Sequence, residues 1–316
     1  MLRLHLYSGG HVTVEEAPSR LGPWPDGTRA WIEVVAPTDA ERELLRAGLG
    51  LHELALEDAA RVGMPPKLDD YGDHLFLIAH SALRADHGGT RKLALFVSKH
   101  WIVTIAREPL PLLEQLRERV RREPEMHFAH PDHFAYEVLV RLLDGFEERV
   151  DEVMDHVEAL EDRALEGISR EITHSLLELR SEHAALLRTV RGQRDMVSQL
   201  ARSTHPVLSR RVQPYLRGLA DQTLRVYELL DDVRDNIAAT RDAYLATINN
   251  RLSETMRVLT VIATIMMPLT LLSGIFGMNF ARIPGLDSPW GFWSTIAAMV
   301  AIAALMLAWF RKREWI

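Results

Sequence analysis

The spacing of apolar positions divides the chain into regions of different character. Short β-branched and aromatic runs near the N-terminus predict strands: "RAWIEVVAP" from Arg29, "KLALFVSKHWIVTIAR" from Lys92 and, as a third, "HLFLIAHSALR" from His74. "TDAERELLRAGLG", from Thr38, carries an N-cap threonine or aspartate, an apolar stripe of helical period and a closing glycine, and so predicts a helix. Residues 1–125 therefore read as mixed α/β. From about Pro131 the period turns helical. Residues 133–166 predict one long amphipathic helix and residues 169–202 a second, with a break at Gly167–Ser169. Pro214 suits the first turn of a third helix, and no proline follows until Pro268. Tyr215 to Phe276 is thus predicted to be one helix, roughly 90 Å long at about 1.5 Å per residue. Such a helix outgrows one small domain and must bundle with copies of itself or with other helices.

The apolar pattern changes again at the C-terminal end. No charge occurs from Val258 to Ala281 or from Ser288 to Phe310. About 20 mostly apolar residues span a bilayer core, so both runs are expected to be membrane helices rather than a buried hairpin. Arg251 and Arg257 precede the first, and Arg311, Lys312 and Arg313 follow the second, whereas the connecting loop sets Arg282 against Asp287. Positive residues stay inside, which predicts cytoplasmic termini and an outward loop. Trp290, Trp293 and Trp309 fall near span ends, where indole rings prefer the interface.

Composition narrows the chemistry. The 316 residues carry a formal net charge of −7 and no cysteine, which excludes disulfides and thiolate metal sites. Mild acidity without a clustered basic face argues against nucleic acid as a partner. The N-terminal stretch has no long apolar run, so no secretory signal is expected. No HExxH, P-loop, nucleophile elbow or dinucleotide fingerprint occurs, and the chain is read as not an enzyme.

"SETMRVLTVIATIMMPLTLLSGIFGMNF", followed by "IPGLDSPWGFW" and a basic tail, closely resembles the CorA family of divalent-cation channels. Gly277, Met278 and Asn279 match that family's signature triplet, and "WIEVVAPTDAERELLRAGLGLHELALEDA" with "PPKLDDYGDHLFLI" resembles its cytoplasmic domain. The resemblance implies an α+β cytoplasmic domain, long helices and two C-terminal transmembrane helices, assembled as a funnel-shaped homopentamer in a bacterial or archaeal inner membrane. It implies domains at 1–130 (cytoplasmic α/β), 131–256 (helical, with the stalk from about 214), 257–280 (pore helix), 281–288 (external loop), 289–311 (outer helix) and 312–316 (basic tail). The transported ion would be Mg²⁺, with Co²⁺ and Ni²⁺. The neighbouring branch resembling the zinc transporter ZntB shares the architecture, so Zn²⁺ is the alternative. A non-conducting membrane-anchored sensor or scaffold is the alternative of another class.

Mg²⁺ sheds water reluctantly. A ring of Asn279 carbonyls can accept hydrogen bonds from a hydrated ion without holding it as carboxylates would, and conduction needs weak binding. Gly277 lets backbone carbonyls approach the axis, while Met278 is read as a packing residue. Met256, Leu259, Ala263, Met267, Thr270 and Gly274 recur at helical spacing, with Ser253 and Asn249 continuing the face. Small residues at this spacing also suit plain helix packing. The resemblance implies that they line the pore, with Met256 and Leu259 as a hydrophobic constriction.

A regulatory cation site is implied between subunits. Its candidates are Asp69, Asp70 and Asp73 with Asp221, since Gly218 stands where some members carry a stalk aspartate. His127, His130 and His133 recur at intervals of three and are expected to be surface histidines rather than a metal cluster, with Asp132 as the nearby carboxylate. Residues 151–166 are strongly acidic, either as a solvated face or as a cation-attracting surface.

Overall fold

A computed structural model describes residues 1–84, 90–128, 130–278 and 290–315. It divides into two units, Met1–Asp162 with Arg170–Thr240 and Arg163–Ser169 with Arg241–Ile316.

The first unit is built on one sheet. Its strands are β1 (Leu2–Ser8), β2 (His11–Glu16), β3 (Arg29–Val35), β4 (Lys67–Asp70), β5 (His74–Arg84), β6 (Thr90–Ser98) and β7 (Trp101–Ala106). They lie in the order β2-β1-β3-β7-β6-β5-β4. Among the described residues only β3 and β7 pair in parallel; the other pairings are antiparallel.

Three strands were expected and seven are present among the described residues. "KLALFVSKHWIVTIAR" is not one strand but the β6–β7 hairpin, turning at Lys99 and His100. Its apolar residues are buried on both faces, so no alternation marks the turn. The β1–β2 hairpin was not anticipated either. Its signal was Gly9–Gly10, a two-residue loop with φ of 59° and 85°, the backbone that glycine adopts without strain.

Alternate strand residues face opposite layers. Leu4, Ile32, Phe76, Ile78 and Phe96 share a core with Leu45 and Leu49 of α1 (Asp39–Leu49) and Leu56 of α2 (Glu53–Ala60). α1 begins as expected. The Thr38 side chain accepts from the Glu41 N–H at 3.2 Å, and Glu41 accepts in return from the Thr38 N–H at 2.8 Å. Gly50 ends it in the left-handed region at φ 70°. On the opposite face, Trp31 stacks on His5 at 4.6 Å and meets Phe134 at 4.8 Å. Phe134 belongs to α5 (Pro131–Glu166). Between them in sequence lie α3 (Pro111–Arg122), whose Arg117 reaches Glu33 at 3.4 Å, and the short α4 (Pro124–Phe128).

α6 (Arg170–Arg202) follows α5 after the expected break at residues 167–169. It buries Ile172, Leu176, Leu179, Leu186 and Val190 at helical spacing. α7 (Gln213–Phe276) is one unbroken helix of 64 residues with Pro214 in its first turn and Pro268 inside it. Its first part buries Leu216, Leu219, Val226, Leu230, Val233 and Ile237, and the Leu230 carbonyl accepts from His183 Nε2 at 2.6 Å.

The second unit holds the rest of α7, the α5–α6 turn and α8 (Gly291–Lys312). Among the described residues, α7 and α8 are the helices long and apolar enough to cross a membrane.

Candidate ion-conduction site

Past Tyr244 the surroundings of α7 invert. Most of its large apolar side chains lie open, Val261 being buried: Met256 is 54 % exposed, Leu259 59 % and Met267 73 %. Water does not favour a continuous apolar surface of this kind, so this stretch calls for lipid or for another copy of itself. Asn249, Ser253, Ala263, Thr270 and Gly274 are exposed as well. At about 100° per residue, the eight positions from Asn249 to Gly274 share an arc of about 120°.

Hydroxyls punctuate this helix in a particular state. Thr270 Oγ1 donates to the Met266 carbonyl at 2.8 Å, Thr264 Oγ1 to Thr260 O at 2.6 Å and Thr260 Oγ1 to Met256 O at 2.8 Å. Each proton is committed to the backbone, so the oxygen lone pairs left over can only accept. On the Thr270 side this suits the waters of a hydrated cation, which donate. Met267, Thr270, Gly274 and Met278 border one shallow concavity.

The end of α7 is closed by its own backbone. Gly277 N–H donates to Ser273 O at 2.9 Å and Met278 N–H to Ile275 O at 3.3 Å. A Cβ at Gly277 would lie 3.0 Å from the Ser273 carbonyl, so glycine permits this closure. Met278 is 47 % exposed. Asn279 and the expected external loop at 281–288 lie outside the described residues.

Among the described residues, three of the four acidic candidates have a partner of their own, Asp221 being the exception. Asp69 accepts from Lys67 Nζ at 2.6 Å, Asp70 from Gly72 N–H at 2.7 Å, and Asp73 contacts His74 Nδ1 at 2.6 Å. Asp70 also lies 3.2 Å from His205 Nε2. Asp221 is exposed on α7, and Gly218 faces open space. Among the described residues no three His, Asp or Glu side chains gather in a metal-holding arrangement within one chain.

Two of the three histidines share one carboxylate and the third stands apart. His127 Nδ1 meets Glu137 at 2.8 Å, His133 Nε2 approaches the same carboxylate at 3.6 Å, and His130 is exposed. His127 is thus buried, not a surface residue. The carboxylate beside them is Glu137 rather than Asp132, whose oxygens accept instead from His133 N–H at 3.0 Å and Ser209 N–H at 2.8 Å. The spacing of Glu137 four residues after His133 was the available signal.

An α/β sheet domain followed by long helices, two of them exposed and of membrane-crossing length, defines a two-span membrane protein with a large polar domain. Residues 26–312 match the model of the CorA-like Mg²⁺ transporter protein family, and the chain belongs to that family. It is therefore a divalent-cation transporter of the membrane and not an enzyme. It is 27 % identical over 315 residues to the putative metal ion transporter YfjQ of Bacillus subtilis, covering 100 % of this chain and 98 % of that protein. It is 28 % identical over 297 residues to the cobalt/magnesium transport protein CorA of Thermotoga maritima, covering 92 % and 84 %. Among solved structures, the complete CorA magnesium transporter of Methanocaldococcus jannaschii superposes with a TM-score of 0.87 at 22 % identity, covering 100 % of this chain and 99 % of that one.

Proposed function

We propose that this chain is the subunit of a homopentameric Mg²⁺ channel of a bacterial or archaeal inner membrane, with Co²⁺ and Ni²⁺ as further permeant ions. One observation carries the reading: the face of α7 from Met256 to Gly274 is apolar or weakly polar, free of charge and without cover in its own chain. Five copies of that face around an axis would enclose a pore. The cationic flanks, Arg251 and Arg257 before α7 enters the membrane and Arg311 to Arg313 after α8, support cytoplasmic termini.

In this reading residues 1–130 and 131–256 form the cytoplasmic part, with the stalk from about 214. Residues 257–280 line the pore, 281–288 connect outside, 289–311 face lipid and 312–316 form the basic tail. A ring of Asn279 amides at the outer mouth accepts hydrogen bonds from the first hydration shell and sorts ions without stripping them. Gly277 leaves room for backbone carbonyls, and Met278 packs between neighbours. Thr270 offers a second ring of acceptor oxygens. Met256 and Leu259 form a constriction that closes by dewetting. Mg²⁺ between Asp69, Asp70 or Asp73 of one subunit and Asp221 of the next would favour the closed state by differential binding.

The test is initial uptake into proteoliposomes at equal protein loading, with Mg²⁺, Co²⁺, Ni²⁺ and Zn²⁺ under matched gradients. Asn279→Ala is expected to bring Mg²⁺ uptake close to background while leaving insertion intact. Wild-type rates in that variant would sink the amide filter. A Zn²⁺ rate above that of Mg²⁺ would favour a zinc transporter, and no uptake of any ion would favour a scaffold.

A further inference from the structure

Beyond the N-terminal end of β4, α6 takes over the edge of β5. β4 pairs with β5 only from Leu75 to Ile78. At His80 the backbone N–H donates to Gln193 Oε1 at 2.9 Å, and Gln193 Nε2 donates to the His80 carbonyl at 3.3 Å. One side-chain amide thus stands in for a further strand residue. Next to it, Gly192 lets α6 approach Pro66; a Cβ at that position would lie 3.0 Å from the proline Cδ. Residues 60–66, which lead from the end of α2 to β4, form one wall of a cavity of about 310 Å³. His80 of β5, β6, the residues just after β7, and α6 supply the rest.

His80 belongs to the same lining. Its Nε2 lies 2.8 Å from the Met64 carbonyl, which can only accept, so Nε2 carries the proton and Nδ1 accepts from Thr90 Oγ1 at 2.7 Å. Burial holds the ring's pKa below the ordinary value in spite of the Met64 bond, and the imidazole is neutral.

The remaining polar lining is cationic. Glu108 is its one carboxylate among the described residues, and Arg91 engages it at 3.0 Å. Asp58, nearby, is bound by Lys67 at 2.7 Å. The guanidinium groups of Arg61, Arg107 and Arg188 pair with no carboxylate among the described residues. Lys92 Nζ donates to the carbonyls of Asp58 at 2.6 Å and Arg61 at 2.5 Å, at the C-terminal end of α2. An ammonium has three donors, so one is left for a ligand.

We propose that this cavity binds a phosphate chain of two or more phosphoryl groups, as in pyrophosphate or the end of a nucleoside di- or triphosphate. Arg61, Lys92, Arg107 and Arg188 bring to one concavity four positive charges that no carboxylate pairs with directly among the described residues. A single phosphoryl group carries only about −1.5 to −2 at neutral pH, whereas a chain balances the set. Forked guanidinium groups match phosphate oxygens in pairs, and residues 62–66 offer an apolar wall for a nucleoside. Burial, reinforced by the charges of Arg107 and Lys67 and opposed by Asp58, brings the Lys92 ammonium down to about 8. A bound anion reverses that depression, so binding above pH 8 takes up a proton. This site is independent of the transport reading.

The test is calorimetric titration of the full-length protein in detergent with EDTA, using ATP, pyrophosphate and inorganic phosphate, and sulfate at matched ionic strength. ATP and pyrophosphate are expected to bind, and phosphate at least about tenfold more weakly. Arg107→Glu and Arg188→Glu should each weaken pyrophosphate binding by about tenfold or more, the factor of one lost charge-assisted hydrogen bond. Both arginines are exposed; should either reversal unfold the protein, the alanine variants read the same losses. At pH 8.5, buffers of different ionisation heat should reveal proton uptake. ATP tighter than pyrophosphate assigns a nucleotide, and equal affinity assigns the phosphate chain alone; both uphold the site. No binding at millimolar concentration, unchanged affinity in both variants, or sulfate binding as tightly as pyrophosphate (an adventitious ion only) would overturn it.

Discussion

The phenol of Tyr244 on α7 donates to the Ser169 carbonyl at 2.8 Å and accepts from the Ser169 N–H at 3.3 Å. One side chain so satisfies both backbone groups of a residue in the α5–α6 turn. Tyr244→Phe removes both bonds while keeping the ring. Ser169 is half-buried and water can partly replace them, so a local cost of about 1 kcal/mol is expected. Amide exchange at Ser169 should quicken about fivefold, with the amides of β6 and β7 unaffected. Unchanged exchange at Ser169 would show that the turn does not depend on Tyr244.

Gln193 is buried and bonds the His80 peptide on both sides. Gln193→Leu fits the space but leaves a buried N–H and a buried carbonyl without partners. Each orphaned group costs about 1–3 kcal/mol, so a loss of about 2 kcal/mol or more is expected in unfolding followed by circular dichroism. A loss under about 0.5 kcal/mol would mean that water restores both bonds.

Lys92 gives a pH signature. Its folded value, lowered chiefly by burial to about 8, lies below the 10.5 of an ordinary lysine. Between those two values the unfolded chain holds a proton that the folded chain has released, so this group makes stability rise with pH across the window. Below it both states are protonated and the cost of the buried charge is fully present. Lys92→Met should flatten the profile between pH 8 and 10.5 relative to wild type. Parallel profiles would place the lysine in ordinary solvent.

α7 runs as one helix from the first unit into the second. Ile237, in its buried stretch, can host a break. Ile237→Pro removes one helical bond and adds a ring clash, about 3 kcal/mol or more locally. Membrane insertion should persist, while assembly on native gels (as a pentamer, in the proposed reading) or gating in proteoliposomes should suffer. Normal assembly with normal conduction would show that helix continuity here is dispensable.

Asp221 is exposed on α7 and engages no partner among the described residues. If it completes an inter-subunit cation site, Asp221→Asn should weaken inhibition of uptake by internal Mg²⁺ and reduce protection from proteolysis by Mg²⁺. Unchanged inhibition would remove Asp221 and turn attention to the acidic stretch at 151–166.

The sequence by itself determined α1 with its Thr38 cap, the three long helices, the break at residues 167–169 and the two apolar spans, because each is written within a few turns of chain: a period, a cap, a proline, a run without charge; the shorter α2, α3 and α4 were not read from it. The arc from Asn249 to Gly274 was legible for the same reason, since spacing alone places residues on one helical face. Sheet assembly was not. Nothing local says that β3 pairs in parallel with β7, or that "KLALFVSKHWIVTIAR" folds back on itself, because a strand buried on both faces carries no alternation to read. The partners of the acidic and histidine candidates also came only from packing, as Glu137 between His127 and His133 shows. The cation-lined cavity is the extreme case. Arg61, Lys92, Arg107 and Arg188 are far apart in sequence and read singly as surface charges. Sheet pairing gathers Lys92 and Arg107, Lys92 holds the Arg61 carbonyl, and Gly192 and Gln193 bring Arg188 to them by setting α6 against the edge of β5; only these long-range contacts make scattered cations into one field.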